Sequence, residues 1–501
     1  MFPQFKLVNP YNIIGMLISH LQTIDSRFFM EASIRDASEA DAACEKAVDD
    51  FLSQHAQLLE VRRVLADGIS KDVVDDVLGW EHYGETMYVF TLLQRLDRLY
   101  RWESIVKSSP ITALEKEGFW SLNDNAEETG IFIIPRVPAI SDATDPTEDT
   151  GEQAWDPDKR WVTEWSKGIN QELHNIYYVD EKDLEVRGDK YVIRNIIMNN
   201  LVLDNKKYIK IAASPLLRDA KLKVCYDYEK IPGGKQQLFS VNGFENPERI
   251  HERLRAAFLQ ACRESVDILV FPEMLGDAQL LSPDEEYSRM FDAFAQEAED
   301  EGLPTPFLII GPTWWHDYSN EAHVFTNVSG RVCVQQKQFS FNDSSKPGNP
   351  REDLRDPCRE VEVIHIPKLG RLTISICKDL LTDDYRDLLM RTLRSTICIC
   401  PSFSPGKTKF DLQAPRDRGY GCYVLWMNTC SAYKENEPIP AYIGLISSPV
   451  PGHSEQYFVP RCYGRCGGDS NVCLFTVKLS LDRNEPSAVV NGHIFREAAL
   501  A

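Results

Sequence analysis

A short stretch in the second half of the chain combines a strand pattern with an abrupt end at a cysteine. In Arg371-Leu-Thr-Ile-Ser-Ile-Cys-Lys-Asp379, apolar residues alternate with polar ones, and this period of two predicts a β-strand. Thr382 then precedes a helical pattern as a candidate N-cap. The apolar members of that pattern are Tyr385, Leu388, Leu389 and Leu393. Cys377 is therefore predicted to lie where a strand turns toward a helix, whose N–H groups favour a thiolate.

This placement fits an inert core thiol as well as a nucleophile. Free cysteine is among the most buried residue types, and the chain has 13 of them. Two other polar residues also end predicted strands. Glu273 follows an apolar run and Pro272, and Lys337 closes the run 331–337. Each of them alone is typical of a solvated surface charge.

Length and charge limit the class of protein. With 501 residues the chain predicts two or three domains. A formal net charge of −21 argues against a general nucleic-acid-binding surface, because phosphate would be repelled. No run approaches the ~20 apolar residues that span a bilayer, so no membrane association is expected. The partly apolar segment 12–21 is predicted as a helix and not a signal peptide. The odd cysteine count favours reduced thiols and a cytoplasmic location.

The first part of the chain carries no catalytic signature. Residues 1–137 are predicted as a mainly α-helical domain, with helices over 43–65 and 87–100. Residues 138–160 are acidic and rich in Pro, Thr and Gly, which predicts a linker or loop. Residues 161–215 are predicted as a small mixed subdomain or connector. Acidic helical modules commonly dock partners, so the N-terminal half is a candidate to bind a protein partner.

From residue 216 to 490 strands and helices alternate, which predicts an α/β layered domain. Asn246 and Pro247 open a predicted helix in favoured positions. The predicted strands are 221–226, 266–271, 307–311, 332–334, 361–366, 397–399 and 424–427. Several are apolar throughout, as expected for strands covered on both faces.

Three motifs in this region resemble those of the nitrilase, or carbon–nitrogen hydrolase, superfamily. Val270-Phe-Pro-Glu273 is similar to the family's first motif, Gly330-Arg-Val-Cys-Val-Gln-Gln-Lys337 to the second, and Ile374-Ser-Ile-Cys-Lys-Asp379 to the third. Their order and spacing also agree, and the resemblance extends over about residues 221–481. It implies a nitrilase-like α-β-β-α sandwich and an assembly into homodimers or higher oligomers.

The resemblance also implies roles for individual residues. Cys377 would be the nucleophile, Glu273 the general base, and Lys337, with a backbone N–H near Lys378, would stabilise the oxyanion. A second glutamate of the family would help to hold the lysine and the substrate. Glu352 is the candidate for it and Glu360 the fallback, and a solvated loop charge is the alternative for either residue. The implied function is hydrolysis of a non-peptide carbon–nitrogen bond in a small molecule, an amide in preference to a nitrile, through a cysteine thioester and without a cofactor.

Other interpretations remain open from the sequence. Lys378 follows the cysteine where the family has a non-basic residue, which leaves the substrate class undecided. Two cysteine pairs, Cys398 with Cys400 and Cys462 with Cys466, lack matched zinc-knuckle spacing, so no metal is expected. The same three catalytic residues would serve an N-acyltransferase. The domain could also be a binding or assembly module, as nitrilase-like domains are in reverse-transcriptase-linked antiphage systems.

Overall fold

The computed structural model describes residues 7–8, 10–22, 39–54, 69–70, 85–99, 129–136, 169–170, 173–198, 203, 206–218, 220–232, 234–276, 283–327, 330–344, 346–417, 420–433, 441–449, 455–459, 471–481 and 488–496. They form two compact units. The first comprises the described residues within Met1–Ala139, Pro146–Leu201 and Val363–Gly370, and the second those within Val202–Glu362 and Arg371–Ala501.

Helices and short strands make up the described part of the first unit. The helices are α1 (Pro10–Gln22), α2 (Glu39–Gln54) and α3 (Glu85–Leu99). The strands are β1 (Leu7–Val8), β2 (Ile69–Ser70), β3 (Ile131–Pro135), β4 (Ile176–Asp180), β5 (Glu185–Val186), β6 (Asp189–Lys190) and β7 (Val192–Ile197). Antiparallel pairs form between β1 and β2, β3 and β4, and β5 and β6.

The core of the first unit follows from the helical spacing of its apolar residues. Four residues of α1 are fully buried and form one stripe, at the spacing expected of an amphipathic helix: Ile14, Leu17, Ile18 and Leu21. They join a cluster with apolar residues of α3 and of β3. The predicted helix over 12–21 is confirmed, and that over 87–100 is confirmed as far as Leu99. The helix over 43–65 is confirmed as far as Gln54, whereas the rest of it and the acidic stretch 138–160 lie outside the described residues.

One carboxylate interrupts this apolar core. Asp97 on α3 is fully buried. Its oxygens accept backbone N–H groups from His174 at 2.7 Å, and from Asn175 and Ile176 at 3.0 Å each. Burial nevertheless raises the pKa of the Asp97 carboxyl. The side chain therefore holds the chain at the start of β4 by replacing water at three backbone donors.

The second unit contains the larger sheets. Its helices are α4 (Pro247–Arg263), α5 (Pro283–Asp300), α6 (Asp383–Asp387) and α7 (Lys407–Asp417). Its strands include β8 (Tyr208–Ala213), β9 (Leu222–Ile231), β10 (Gly234–Phe244), β11 (Ile268–Val270), β12 (Leu308–Ile310), β13 (Trp314–His316), β14 (Ser319–Thr326), β15 (Gly330–Gln336) and β16 (Arg351–Glu352). The remaining strands are β17 (Glu360–Ile366), which runs into the first unit, β18 (Gly370–Ile374), β19 (Ile397–Ser402), β20 (Tyr423–Asn428), β21 (Gly444–Ser447), β22 (Gln456–Tyr457), β23 (Asn471–Ser480) and β24 (Ala488–Arg496).

Two sheets carry the strand ends that matter for the site. The first has the order β13-β14-β12-β11-β8-β23-β24, with β15 beside β14, and its central strands β8, β11 and β12 are parallel. In the second, β18, β19 and β20 are parallel and β21 and β22 follow antiparallel. The apolar face of α4 packs with α5 against the first sheet. The second unit is thus a mixed α/β structure, and none of the helices among the described residues is long and apolar enough to cross a membrane.

The start of this unit differs from the sequence-based expectation. The predicted strand 221–226 exists, but as part of β9, which pairs with β10 in a hairpin and is mostly exposed. The strand that enters the core sheet is β8, within the range predicted as a connector. Its register pairs Ile211 with Ile268 and Ala213 with Val270. Small residues such as Ala212 and Ala213 weaken the apolar pattern there, so periodicity alone did not identify this strand.

Candidate active site

Glu273 lies just beyond the end of β11. Phe271 continues the ladder by donating its N–H to the carbonyl of Ile310 at 3.0 Å, and Pro272 then ends the strand. Met274 takes a positive φ of 61°, and its N–H donates to the Thr313 hydroxyl at 2.8 Å. This turn points the Glu273 side chain inward, where it is fully buried.

Lys337 follows β15 in the same sheet. The strand begins at Gly330, whose φ of +71° favours glycine. Lys337 N–H donates to the Asn320 carbonyl at 2.8 Å, one step beyond the pairing of Gln336 with Glu321. Lys337 Nζ lies 2.7 Å from Glu273 Oε1 and 2.7 Å from an oxygen of Glu352. The ammonium therefore bridges two carboxylates, and all three side chains are at most 1% exposed.

Glu352 is held by the short strand β16. It pairs with Phe239 of β10 in parallel register. Its N–H donates to the Phe341 carbonyl at 2.8 Å, and its Oε2 accepts the Phe341 N–H at 2.9 Å. The structure thus brings the candidate Glu352 together with Lys337. The fallback Glu360 starts β17, where its carbonyl accepts the side-chain amide of Gln335 at 3.2 Å.

Three further groups complete the surroundings of Glu273. Asn320 Nδ2 donates to Glu273 Oε1 at 2.9 Å and to Glu352 Oε1 at 3.3 Å. The Thr313 hydroxyl donates to Asn320 Oδ1 at 2.6 Å, which fixes the orientation of the amide. Phe403 N–H donates to Glu273 Oε2 at 2.7 Å. Sequence reasoning assigned no role to these groups. A backbone N–H carries no sequence signature.

Cys377 occupies the turn that follows β18. Ser375 N–H still bonds the Ile399 carbonyl at 2.9 Å, and the chain then leaves the sheet in a 3₁₀ turn over Cys377–Asp379. Cys377 has a φ of 48°, a conformation that costs a residue with a Cβ on the order of 1–2 kcal/mol. Its side chain is buried, with 3% of the residue exposed, and hydrogen-bonds Ser402. The predicted strand-to-turn position of the cysteine is confirmed.

The predicted helix start differs in detail. Thr382 is the residue before α6, but its hydroxyl donates to the Lys378 carbonyl at 3.1 Å and makes no cap bond. The helix is short, spanning Asp383–Asp387, and a π-helical turn over Leu388–Thr392 follows. The 3₁₀ turn separates Cys377 from α6. The N–H groups of the first turn of α6 therefore do not belong to the residues directly after the cysteine.

The electrostatic balance keeps the thiol protonated. Burial raises the pKa of Cys377, the charge of Glu273 raises it further, and Lys337 opposes both. The expectation that the surroundings of Cys377 favour a thiolate is therefore wrong, because burial outweighs the charge of Lys337. Burial lowers the pKa of Lys337, but the two carboxylates outweigh this and hold it well above its usual value. Burial also raises the pKa of Glu352 against the charge of Lys337.

The hydrogen-bond inventory of Glu273 leaves room for one more donor. A carboxylate has about four acceptor positions. The Lys337 ammonium and the Asn320 amide occupy Oε1, and the Phe403 N–H occupies part of Oε2. Asn428 of β20 bonds Ser404 N–H at 2.9 Å and thereby holds the segment that carries Phe403. The remaining position on Oε2 is available to a thiol proton or a water.

The described residues hold no cluster of three His, Cys, Asp or Glu side chains suited to a metal ion. Cys398 and Cys400 lie buried on β19. Cys462 and Cys466 lie outside the described residues. The side chains that meet at the site are those of two carboxylates, an ammonium and a thiol.

Comparison with known proteins gives distant structural similarities. No family model matches the chain, and no curated protein does. The structure is similar to an amidase from Nesterenkonia sp. AN1, at 12% identity and a TM-score of 0.32, over 56% of this chain and 92% of the amidase. It is similar to the C. elegans NitFhit protein, at 12% identity and a TM-score of 0.34, over 56% of this chain and 62% of that one. For a glutamine-dependent NAD⁺ synthetase from Acinetobacter baumannii the identity is 13%, the TM-score 0.36, and the coverage 56% and 46%.

Proposed function

We propose that the second unit is a nitrilase-type α-β-β-α domain that hydrolyses a non-peptide carbon–nitrogen bond, with residues 1–137 preceding it as a mainly helical domain. The observation that carries this proposal is the bridge of Lys337 between Glu273 and Glu352, fully buried beside Cys377. Buried charges are costly. A lysine and two glutamates at the ends of different strands, next to a thiol, are the parts that thioester chemistry requires.

Proton transfer within the cluster explains how a buried thiol can react. Loss of the Cys377 proton to solvent would add a negative charge to a buried site that already holds two carboxylates. Burial first, and then these carboxylates, raise the pKa of the thiol. Transfer of the same proton to Glu273 leaves the total charge of the cluster unchanged. Glu273 thus acts as a general base while the sulfur attacks the carbonyl carbon. The resting enzyme holds a thiol, and the thiolate forms only during the attack.

Lys337 serves the next step. Its raised pKa keeps it an ammonium, so it does not compete with Glu273 as a base. Together with a backbone N–H near Lys378 it stabilises the oxyanion of the tetrahedral intermediate. The proton taken up by Glu273 then passes to the leaving nitrogen, which departs as ammonia or an amine. The proposed substrate is an amide in preference to a nitrile, whose nitrogen would leave only after a water has added.

Water completes the reaction. After the amine departs, Glu273 is again a carboxylate and takes a proton from a water that attacks the thioester carbonyl. The carbon–sulfur bond breaks, the acid leaves, and the proton returns to Cys377. If an amine takes the place of water, the same residues transfer the acyl group and form a new amide. Hydrolysis and acyl transfer therefore differ only in the second nucleophile.

The test is ammonia release from a panel of small primary amides and nitriles, with and without hydroxylamine. The account predicts ammonia from at least one amide and, with hydroxylamine present, the corresponding hydroxamate. Cys377→Ala should abolish both products, whereas replacement of the exposed Cys358 by Ser should leave them unchanged. Product that appears only with an added amine would favour the acyltransferase.

A negative result is also informative. A folded wild-type protein that releases no ammonia, and in which an activated ester such as p-nitrophenyl acetate leaves Cys377 unacylated, would contradict the hydrolase. The binding-module interpretation would then gain support. Full activity in Cys377→Ala would contradict the assignment of the nucleophile.

A further inference from the structure

Asp379 is a buried carboxylate that none of the proposed steps uses. It belongs to the same 3₁₀ turn as Cys377, and only 1% of the residue is exposed. Its oxygens accept three backbone N–H groups. Gln338 donates to both oxygens at 3.1 Å, Phe339 donates at 2.9 Å, and Ile376 donates at 3.3 Å. These donors come from two separate segments of the chain.

The three N–H donors to Asp379 lie directly beside the residues of the proposed site. Gln338 and Phe339 directly follow Lys337, and Ile376 directly precedes Cys377. The two segments end strands of different sheets, β15 and β18. One side chain thus joins the backbone beside the ammonium to the backbone beside the thiol. Bonds to backbone N–H groups fix the course of the chain itself, so we expect a change at Asp379 to move both groups.

We propose that Asp379 is a positioning residue that holds the Lys337 ammonium at a set distance and direction from the Cys377 sulfur during the reaction. This inference rests on the proposed function. Oxyanion stabilisation needs its donors close to the place where negative charge develops. Asp379 meets this need for two residues that are 40 positions apart in sequence (377 minus 337). It does so without touching the substrate.

The protonation state of Asp379 agrees with this role. Burial raises its pKa to about 7, the Lys337 charge and the bonds from Gln338 and Phe339 oppose the shift, and the Glu352 charge adds to it. Only the ionised carboxylate offers acceptors to all three N–H groups. A protonated carboxyl would turn one oxygen into a donor that faces another donor. The link between the two segments is therefore complete only above this pKa, at mildly alkaline pH.

The test compares Asp379→Asn and Asp379→Glu with the wild type in steady-state kinetics. Asparagine keeps the shape but replaces an acceptor with a donor, and glutamate keeps the charge but displaces it. In both variants kcat should fall on the order of 10²-fold, because small misplacements of reacting groups have effects of that size. KM should change little, since the lost interaction acts in the transition state. Asp383→Asn is the matched control, with a side chain 68% exposed in the next helix.

Alkylation of Cys377 by iodoacetamide at mildly alkaline pH, followed by mass spectrometry, gives a second readout. A displaced Lys337 stabilises the thiolate less, so alkylation in Asp379→Asn should be slower than in the wild type. Faster alkylation would indicate that only a negative charge was removed, and would overturn the proposal. If folded Asp379→Glu or Asp379→Asn kept the wild-type kcat, the proposal would also be overturned, even if the variant had a lower melting temperature. A wild type without turnover contradicts the hydrolase instead, and the alkylation rates then still decide the role of Asp379.

Discussion

Asp97 in the first unit and the Glu273–Glu352 pair in the second are all fully buried carboxylates, but their partners differ in kind. The charge of Asp97 is met by backbone N–H groups at the start of β4. The charges of Glu273 and Glu352 are met chiefly by one shared lysine and one shared asparagine, and each carboxylate accepts only one backbone N–H from the described residues, that of Phe403 and of Phe341 respectively. Backbone donors hold a carboxylate in a fixed place in the fold. A carboxylate beside an ammonium and a thiol can, in the proposed reaction, also accept the thiol proton.

This difference separates a structural use of a buried charge from a chemical one. Asp97 accepts backbone N–H groups that would otherwise lack a partner, so its replacement should lower the free energy of unfolding. The cluster around Lys337 in the second unit instead sets one ammonium against two carboxylates, so it holds more negative than positive charge. Because an unpaired buried charge is strongly destabilising, such an arrangement persists where function requires it. Four changes test this comparison.

The largest expected effect is that of Glu273→Gln. The amide keeps the size of the side chain but cannot take the proton of Cys377. Catalysis should fall on the order of 10³-fold, within the range of general-base effects. The measurement is kcat/KM for the best amide, with the exposed Glu248→Gln as control. A decrease in kcat/KM of less than about tenfold would contradict the role of Glu273 as general base.

Lys337→Gln should lower activity and stability together. The rate should fall about 10²-fold through loss of oxyanion stabilisation. Two buried carboxylates also lose their cation, which should lower the free energy of unfolding by about 3–5 kcal/mol unless they take up protons. Chemical denaturation at several pH values measures this, and the stability loss should shrink as the pH is lowered. The exposed Lys223→Gln is the control, and equal losses in both variants would contradict the account.

Asp379 predicts a pH dependence of stability with a defined sign. Its pKa is raised from 3.8 to about 7, so between these values the native state binds more protons than the unfolded state. The free energy of unfolding of the wild type should therefore fall, relative to that of Asp379→Asn, as the pH rises through this window. Denaturation of both proteins across the range checks the direction. A constant difference would contradict the raised pKa.

The smallest expected effect on activity is that of Asp97→Asn. The variant should lose about 1–3 kcal/mol of stability, because an amide group cannot accept all three backbone N–H groups. Its kcat should match that of the wild type once both are folded. The exposed Asp50→Asn is the control for a surface carboxylate of the same unit. A large loss of kcat in Asp97→Asn at unchanged stability would contradict the structural role of Asp97.

The sequence predicted the parts of the site that lie at strand ends. Glu273, Lys337 and Cys377 follow apolar or alternating runs, and the structure places all three in one buried cluster. Strand periodicity also identified β11, β12, β19 and β20, which are buried on both faces. The roles of these residues in catalysis stay proposals, as do the domain boundaries and the homo-oligomer.

The remaining features depend on contacts that no local pattern encodes. The Phe403 N–H bond to Glu273, and the Asp379 bonds to Gln338 and Phe339, join segments far apart in sequence. The net sign of the Cys377 pKa shift was missed because it depends on burial, which outweighs the cation that the sequence does show. The burial of Asp97 was not predicted, because the helix that contains it was identified only from its apolar residues.

The most direct test of the central claim is to stop the reaction with acid during turnover of the best amide and map the acylated peptide by mass spectrometry. The account predicts one acyl group, as a thioester on Cys377, in the wild type and a much smaller amount in Glu273→Gln. Turnover with no acyl group on Cys377, or with the acyl group on another cysteine, would contradict it.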